Sequence, residues 1–152
     1  IKKIIDKKEK EIISKEVLYD LPEWFGLPES TEEYIKDSQD KPFLACYADN
    51  EVAGFIVLNA TSKDTADIFV MGIKKKFHRM GIGTKLNTEF ENMAKNLGYS
   101  YSQVKTVKMG HYKEYDITNE FYIAMGYKEL ECFPTLWDEW NPCQIYIKYL
   151  GE

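Results

Sequence analysis

Apolar residues recur at helical spacing at Ile12, Ile13, Val17 and Leu18, with Lys and Glu filling the other face, which predicts a helix from about Lys7 to Asp20. Asp6 stands three residues before Glu9 and can cap its first turn, and Ile1 to Ile5 ahead of it reads as a short strand. Leu21-Pro22-Glu23-Trp24-Phe25-Gly26 ends the pattern, because Pro22 disfavours helical geometry at Leu21 and Gly26 with Pro28 marks an irregular loop carrying two large aromatics. Ser30 and Glu33 form a second capping box and predict a short helix through about Asp37. From Pro42 the texture becomes that of strands: Phe43 to Ala48 and Glu51 to Asn59 joined by Asp49-Asn50, then Thr65 to Ile73. Gly72 interrupts the last of these, as a bulge, a close approach of ligand or backbone, or a plain strand end.

Ile82, Leu86, Phe90, Met93 and Leu97 fall on one face of the longest predicted helix, which opens at Gly81-Ile82-Gly83 and closes at Gly98. A strand over Tyr101 to Val107, a polar Tyr-rich loop over Met109 to Asp116, a short helix over Thr118 to Met125 and strands over Tyr127 to Phe133 and Cys143 to Leu150 complete the order β α α β β β α β α β β. That order predicts an α+β or mixed α/β single sheet.

With 152 residues and 44% hydrophobic content, one domain spanning residues 1–152 can bury roughly 70% of its unfolded surface and fold without disulfides. Twenty Lys and Arg against 25 Asp and Glu give a net charge of −5, which disfavours duplex nucleic acid as the main partner. Cys46, Cys132 and Cys143 form no C-x-x-C pair, and His78 and His111 lie far apart, so no disulfide framework or metal cluster is expected, and the compartment expected is a reducing cytosol. Apolar runs are too short for a membrane span, and the charged start lacks a signal-peptide core. An opening Ile in place of Met leads to the expectation of a trimmed N-terminus.

The chemistry concentrates between Ile68 and Leu97. A strand ending in a turn with Gly81 and Gly83 ahead of a helix presents free amides at the positive end of the helix dipole, a setting for a phosphate or diphosphate. Lys74, Lys75, Lys76, His78 and Arg79 are expected to add local positive charge. Gly83 is followed by Thr84-Lys85, the wrong order for a Walker A loop. Leu86 and Lys108 occupy positions where a dinucleotide fold wants Gly and an acid.

His78-Arg79-Met80-Gly81-Ile82-Gly83 resembles the [Q/R]-x-x-G-x-[G/A] signature of the GCN5-related N-acetyltransferase (GNAT) family, with His in the Gln/Arg slot. Thr118 to Tyr127 resembles the family's second cofactor motif, ending in F-Y-x-x-x-G-[F/Y]. The resemblance implies a mostly antiparallel central sheet of six to seven strands with about four helices, splayed between strands 4 and 5. It implies acetyl-CoA as donor in a direct N-acetyl transfer to an amine, most simply a small molecule. The alternatives are a coenzyme-binding sensor or interaction module with little catalysis, and a dimeric scaffold; a homodimer is also compatible with the first.

By that resemblance the amides from His78 through Arg79, Met80, Gly81, Ile82 and Gly83 to Thr84 take the diphosphate, and the main chain of Met71, Gly72 and Ile73 takes the thioester carbonyl and the pantetheine arm. Asn119 is a hydrogen-bond candidate for the same arm. Tyr122 matches the family's Tyr, proposed there to protonate the departing thiolate, against an ordinary packing role. Asp67 falls where some members carry an acidic base, against a solvated Asp at a strand start. Trp24 and Phe25 in one loop and Trp137 to Trp140 in another fit acceptor-pocket walls, with Asp138 and Glu139 drawing a cationic amine. Glu114 and Asp116 are further candidates for the base. A thiol hydrolase built from Cys132 or Cys143 with His111 is the other enzyme class, set against buried, inert Cys in strands.

Overall fold

The computed structural model of the protein describes residues 1–151. The chain runs β1 (Lys2–Ile4), α1 (Lys7–Leu18), α2 (Pro28–Ser38), β2 (Phe43–Ala48), β3 (Glu51–Ala60), β4 (Thr65–Ile73), a 3-10 turn (Lys75–Phe77), α3 (Ile82–Asn96), β5 (Tyr101–Val107), α4 (Lys113–Ala124), β6 (Lys128–Phe133) and β7 (Cys143–Tyr149). All seven strands join one sheet in the order β1-β2-β3-β4-β5-β7-β6. Every pairing is antiparallel except β4 with β5. The predicted element order is the observed one. None of the described helices is long and apolar enough to cross a membrane.

Local chemistry explains most boundaries. Glu9 N–H donates to Asp6 Oδ2 at 2.9 Å, so the first cap forms as expected. The second does not: α2 starts at Pro28 with Leu27 as an N-cap that offers no side chain, so Ser30 lies inside the helix. Proline at the first helical position has its φ preset and no amide to leave unpaired. The second correction is in α4, which begins at Lys113, inside the stretch expected to be loop. Helix α3 closes as predicted, with Gly98 at φ +96°, but Leu97 is half-exposed.

The sheet separates two apolar layers. On one face Ile82, Leu86 and Phe90 of α3 pack with Tyr122 of α4 on Ile56, Leu58, Ile68, Val104 and Tyr146. On the other, Ile13, Val17, Leu18 and Ile35 cover Phe43, Phe55, Val57 and Val70. Each fully buried side chain of this kind contributes about 1.5–3 kcal/mol.

One irregularity marks the place where the sheet opens. Val57 pairs with Val70 and Leu58 with Ile68, leaving Phe69 as an extra residue on β4. A bulge bends its strand and sharpens the local twist. Just there the pairing of β4 with β5 stops: it runs from Thr65↔Tyr101 to Ile68↔Val104 and no further. Beyond it β4 stays with β3 and β5 stays with β7, so the sheet opens as a wedge.

Gly72 does not serve as that bulge. A Cβ there would lie 3.0 Å from Val17 Cγ1 and 3.1 Å from Leu21 Cδ1, and one at Gly54 would lie 2.7 Å from Gly72 O. The two glycines let α1 lie close on β4 and β4 close on β3.

Candidate active site

The closed end of the wedge lies at Ile68 and Val104, and its mouth lies beside the start of α3. Gly81 is left-handed at φ +77°, as is Arg79 at +64°. No side chain caps α3, and its first helical bond is Lys85 N–H to Gly81 O at 3.1 Å. The amides of Ile82, Gly83 and Thr84 therefore have no acceptor within the helix. A Cβ on Gly83 would lie 3.3 Å from both Ile73 Cδ1 and Phe121 Cε1, so this helix start is wedged between the end of β4 and α4.

The lysines ahead of it are already engaged. Lys74 pairs with Glu16 and Glu51, Lys75 with Glu23, and Lys76 with Glu51. This corrects the expectation of a basic connector: carboxylates of α1, the loop after it and β3 offset those charges, leaving His78 and Arg79 from the set. Lys75 N–H also donates to Asp20 Oδ2 at 2.8 Å, tying the connector to the end of α1.

Strand alternation decides which main-chain groups face the wedge. Lys74 N–H donates to Ala53 O, which fixes Gly72 opposite Phe55 as a hydrogen-bonded pair. Gly72 thus turns its main chain to β3, while Met71 and Ile73 turn theirs into the opening. On the facing lip, Lys108 N–H donates to Pro142 O, which likewise turns Lys105 and Val107 inward.

Two side chains reach these lips. His78 Nε2 lies 2.7 Å from Ile73 O and must carry the hydrogen, since a carbonyl only accepts. Asn119, fully buried, donates from Nδ2 to Val107 O at 2.9 Å and Tyr115 O at 2.6 Å, and its Oδ1 accepts from Tyr146 OH at 2.6 Å. Its polar atoms are spent on the protein, so the structure gives Asn119 another task than bonding a pantetheine arm. Thr106, on the stretch of β5 that has parted from β4 and on the same face as Val104, has a buried hydroxyl without a partner among the described residues. A coenzyme arm lined up in the wedge fits an unsatisfied hydroxyl, open strand edges and uncapped helix amides.

Tyr122 sits on the α3/α4 side, 4% exposed, edge-on to Phe121 and Tyr127. Burial, helped by the charges of Tyr127 and Asp67, pushes its phenol well above the ordinary value. Asp67 is 5% exposed, and its Oδ1 accepts from Gln103 Nε2 at 3.2 Å. Burial raises its carboxyl to about 6, against the pull of Lys105 and the Gln103 bond. One strand position from Ile68 in the α3 core, Asp67 lies on the face that α1 and α2 cover. The wedge therefore has a phenol on one side of the sheet and a carboxyl on the other.

A strap crosses beside the mouth. Trp24 packs edge-on against His78 at 5.8 Å, donates from Nε1 to Thr118 Oγ1 at 3.2 Å and Glu114 O at 3.3 Å, and accepts at its carbonyl from Tyr115 OH at 2.7 Å. The α1–α2 loop thus joins the α3 side to α4. Sequence singled out the aromatic pair but had no signal for these partners some 90 residues away. Thr106 was legible in principle, as a hydroxyl on a core face alternating with Val104. Asp138 accepts within its own loop from Asn141 and the Trp140 N–H, which hold its carboxyl low and keep it ionised; Trp140 is exposed. Burial pushes the Cys143 thiol up to about 11, which suits packing and not nucleophilic attack.

A β-sheet splayed at the start of a glycine-led helix is the arrangement that the GNAT resemblance implied, and comparison with known proteins agrees. The model of the acetyltransferase (GNAT) family matches residues 14–127, so the chain belongs to the GNAT acetyltransferases. Among curated proteins none matches the sequence. Among solved structures, a GNAT-family protein from Desulfovibrio desulfuricans aligns over 99% of this chain and 98% of its own, with a TM-score of 0.83 and 14% identity. The IAA acetyltransferase from Bacillus cereus aligns over 97% of each chain, at TM-score 0.76 and 18% identity. A GNAT acetyltransferase from Elizabethkingia anophelis with acetyl-CoA bound covers 86% of this chain and 89% of its own, at TM-score 0.70 and 18% identity. At these identities the likeness is one of fold.

Proposed function

We propose that the protein binds acetyl-CoA in the wedge and transfers the acetyl group directly to the amine of a small molecule that approaches from the α1/α2 face. The observation that carries this is the parting of β4 from β5 beyond Ile68 and Val104, in front of an uncapped helix start. The diphosphate falls to the amides of Ile82, Gly83 and Thr84, with Arg79 beside them, and the arm pairs with Met71 and Ile73 as an added strand would. The acetyl-CoA carried by the Elizabethkingia relative supports that assignment.

The thioester supplies an activated acyl group. A main-chain N–H of the open β4 edge polarises its carbonyl. As the amine nitrogen bonds to the carbonyl carbon and the C–S bond breaks, the nitrogen sheds a proton and the sulfur needs one. Asp67, on the acceptor side, takes the first through a water, and Tyr122, on the coenzyme side, gives the second. Both perturbations suit those roles: a carboxyl raised to about 6 is ionised at neutral pH yet more basic than an ordinary Asp, and a buried phenol stays protonated.

Melting curves with coenzyme test the binding. At a hundredfold excess over Kd the stabilisation is about 2.7 kcal/mol, a rise of roughly 5–10 °C for a chain of this length. A flat melting temperature at millimolar acetyl-CoA overturns the proposal. Thiol release over a panel of amines, polyamines, amino acids, aminoglycosides and peptide N-termini then identifies the acceptor, and turnover of peptides alone overturns the small-molecule part.

A further inference from the structure

The two lips of the wedge end alike. On β4 the outermost inward carbonyl, Ile73 O, takes an N–H from His78; on β5 its counterpart, Val107 O, takes an N–H from Asn119. Neither donor belongs to a neighbouring strand, and they come from different elements, the β4–α3 connector and α4. The capped end of β4 lies next to α3: a Cβ on Gly83 would come within 3.3 Å of the Ile73 side chain. An uncapped carbonyl there would turn its negative end toward an anion held by the helix amides. A capped one carries a donor dipole in its place, while the N–H of Ile73 stays free.

We infer that His78 and Asn119 are positioning residues that close the two carbonyl acceptors at the mouth of the wedge, so that an anionic coenzyme meets hydrogen-bond donors there. This rests on the coenzyme reading above and adds to it a task for the side chain in the His78 slot. Asn119 is fully buried with its bonds all internal, and its replacement threatens the fold. His78 is exposed, so its variants isolate the effect. It has two separable contacts, the N–H to Ile73 O and the ring edge against Trp24.

Three variants divide them. His78→Ala removes both, His78→Phe keeps an aromatic ring without a donor, and His78→Gln keeps an N–H donor without the ring. The measurements are the Kd for CoA by calorimetry and the melting temperature without ligand. His78→Ala and His78→Phe are expected to weaken CoA about fivefold, the scale of one hydrogen bond, while His78→Gln stays within about twofold of the parent. The unliganded melting temperature should move by less than a degree or two in all three. Rescue by Phe and not by Gln shows that the ring on Trp24 matters, and overturns the proposal. So does an unchanged Kd in His78→Ala, or a loss that follows the melting temperature. If the parent protein itself fails to bind CoA, the coenzyme reading falls and takes this inference with it; if the parent binds and the variants do not differ, only this inference falls.

Discussion

Tyr122 is held by rings on either side, and its hydroxyl has no hydrogen-bond partner among the described residues. A phenol kept only for packing loses little on becoming Phe, because the ring and its burial survive. A phenol that hands a proton to sulfur loses the transfer outright. Tyr122→Phe is therefore expected to lower kcat about a hundredfold, the scale of one acid–base contribution, with the Kd for CoA within about twofold. Since burial raises the phenol, it remains protonated through and beyond the range where a free Tyr ionises. The parent's pH–rate profile should thus show no descending limb from this group below about pH 10. An unchanged kcat in Tyr122→Phe, measured by thiol release, removes the role.

Glycines that look alike in sequence do different work once the elements are packed. Gly72 lies under α1, where a methyl would press on Val17 and Leu21, so Gly72→Ala should cost about 1–3 kcal/mol in urea unfolding and leave the coenzyme-induced rise in melting temperature in place. Gly81 has nothing within 4 Å of an added Cβ, but its φ of +77° is one that β-branched residues avoid. Gly81→Val should abolish that rise while the protein stays folded, because the amides at the start of α3 are re-aimed. The reverse assignment, with Gly72→Ala losing coenzyme, would place the arm against Gly72 after all. What was legible at this scale is what periodicity carries: the α3 stripe of Ile82, Leu86 and Phe90, the β2–β3 hairpin, and the glycine pair before a helix. The first turn of α4 was not, since Lys113 to Asp116 show no apolar period and are fixed by Tyr115 bonding to Trp24. Nor was the fate of Asn119, whose motif position says nothing of a bond back to Val107 O. Capping chemistry misled once, where the Ser30 box yielded to Pro28.

Across the whole molecule the sheet keeps two chemistries apart, phenol and helix amides on the α3/α4 side and the Asp67 carboxyl on the α1/α2 side, and the bulge at Phe69 is what opens a way between them. That arrangement has a stability cost that pH can reveal. Asp67 is raised in the folded state to about 6 from the ordinary carboxylate range near 4. Between those values the native protein binds more protons than the unfolded chain, so the contribution is fully present below about pH 4 and is lost as pH rises through about 6. Ionising a carboxyl 95% enclosed thus weakens the neutral protein by roughly 2–3 kcal/mol, an upper figure given relaxation around Lys105 and Gln103. Asp67→Asn keeps the shape and removes the titration. Urea unfolding should show the variant more stable than the parent at pH 8 and level with it near pH 4, while its thiol-release rate at pH 7 falls and the ascending limb near pH 6 disappears. Equal stability at both pH values, with an unaltered pH–rate profile, would mean that Asp67 is an ordinary polar residue of the strand and that the proton leaving the amine goes to water.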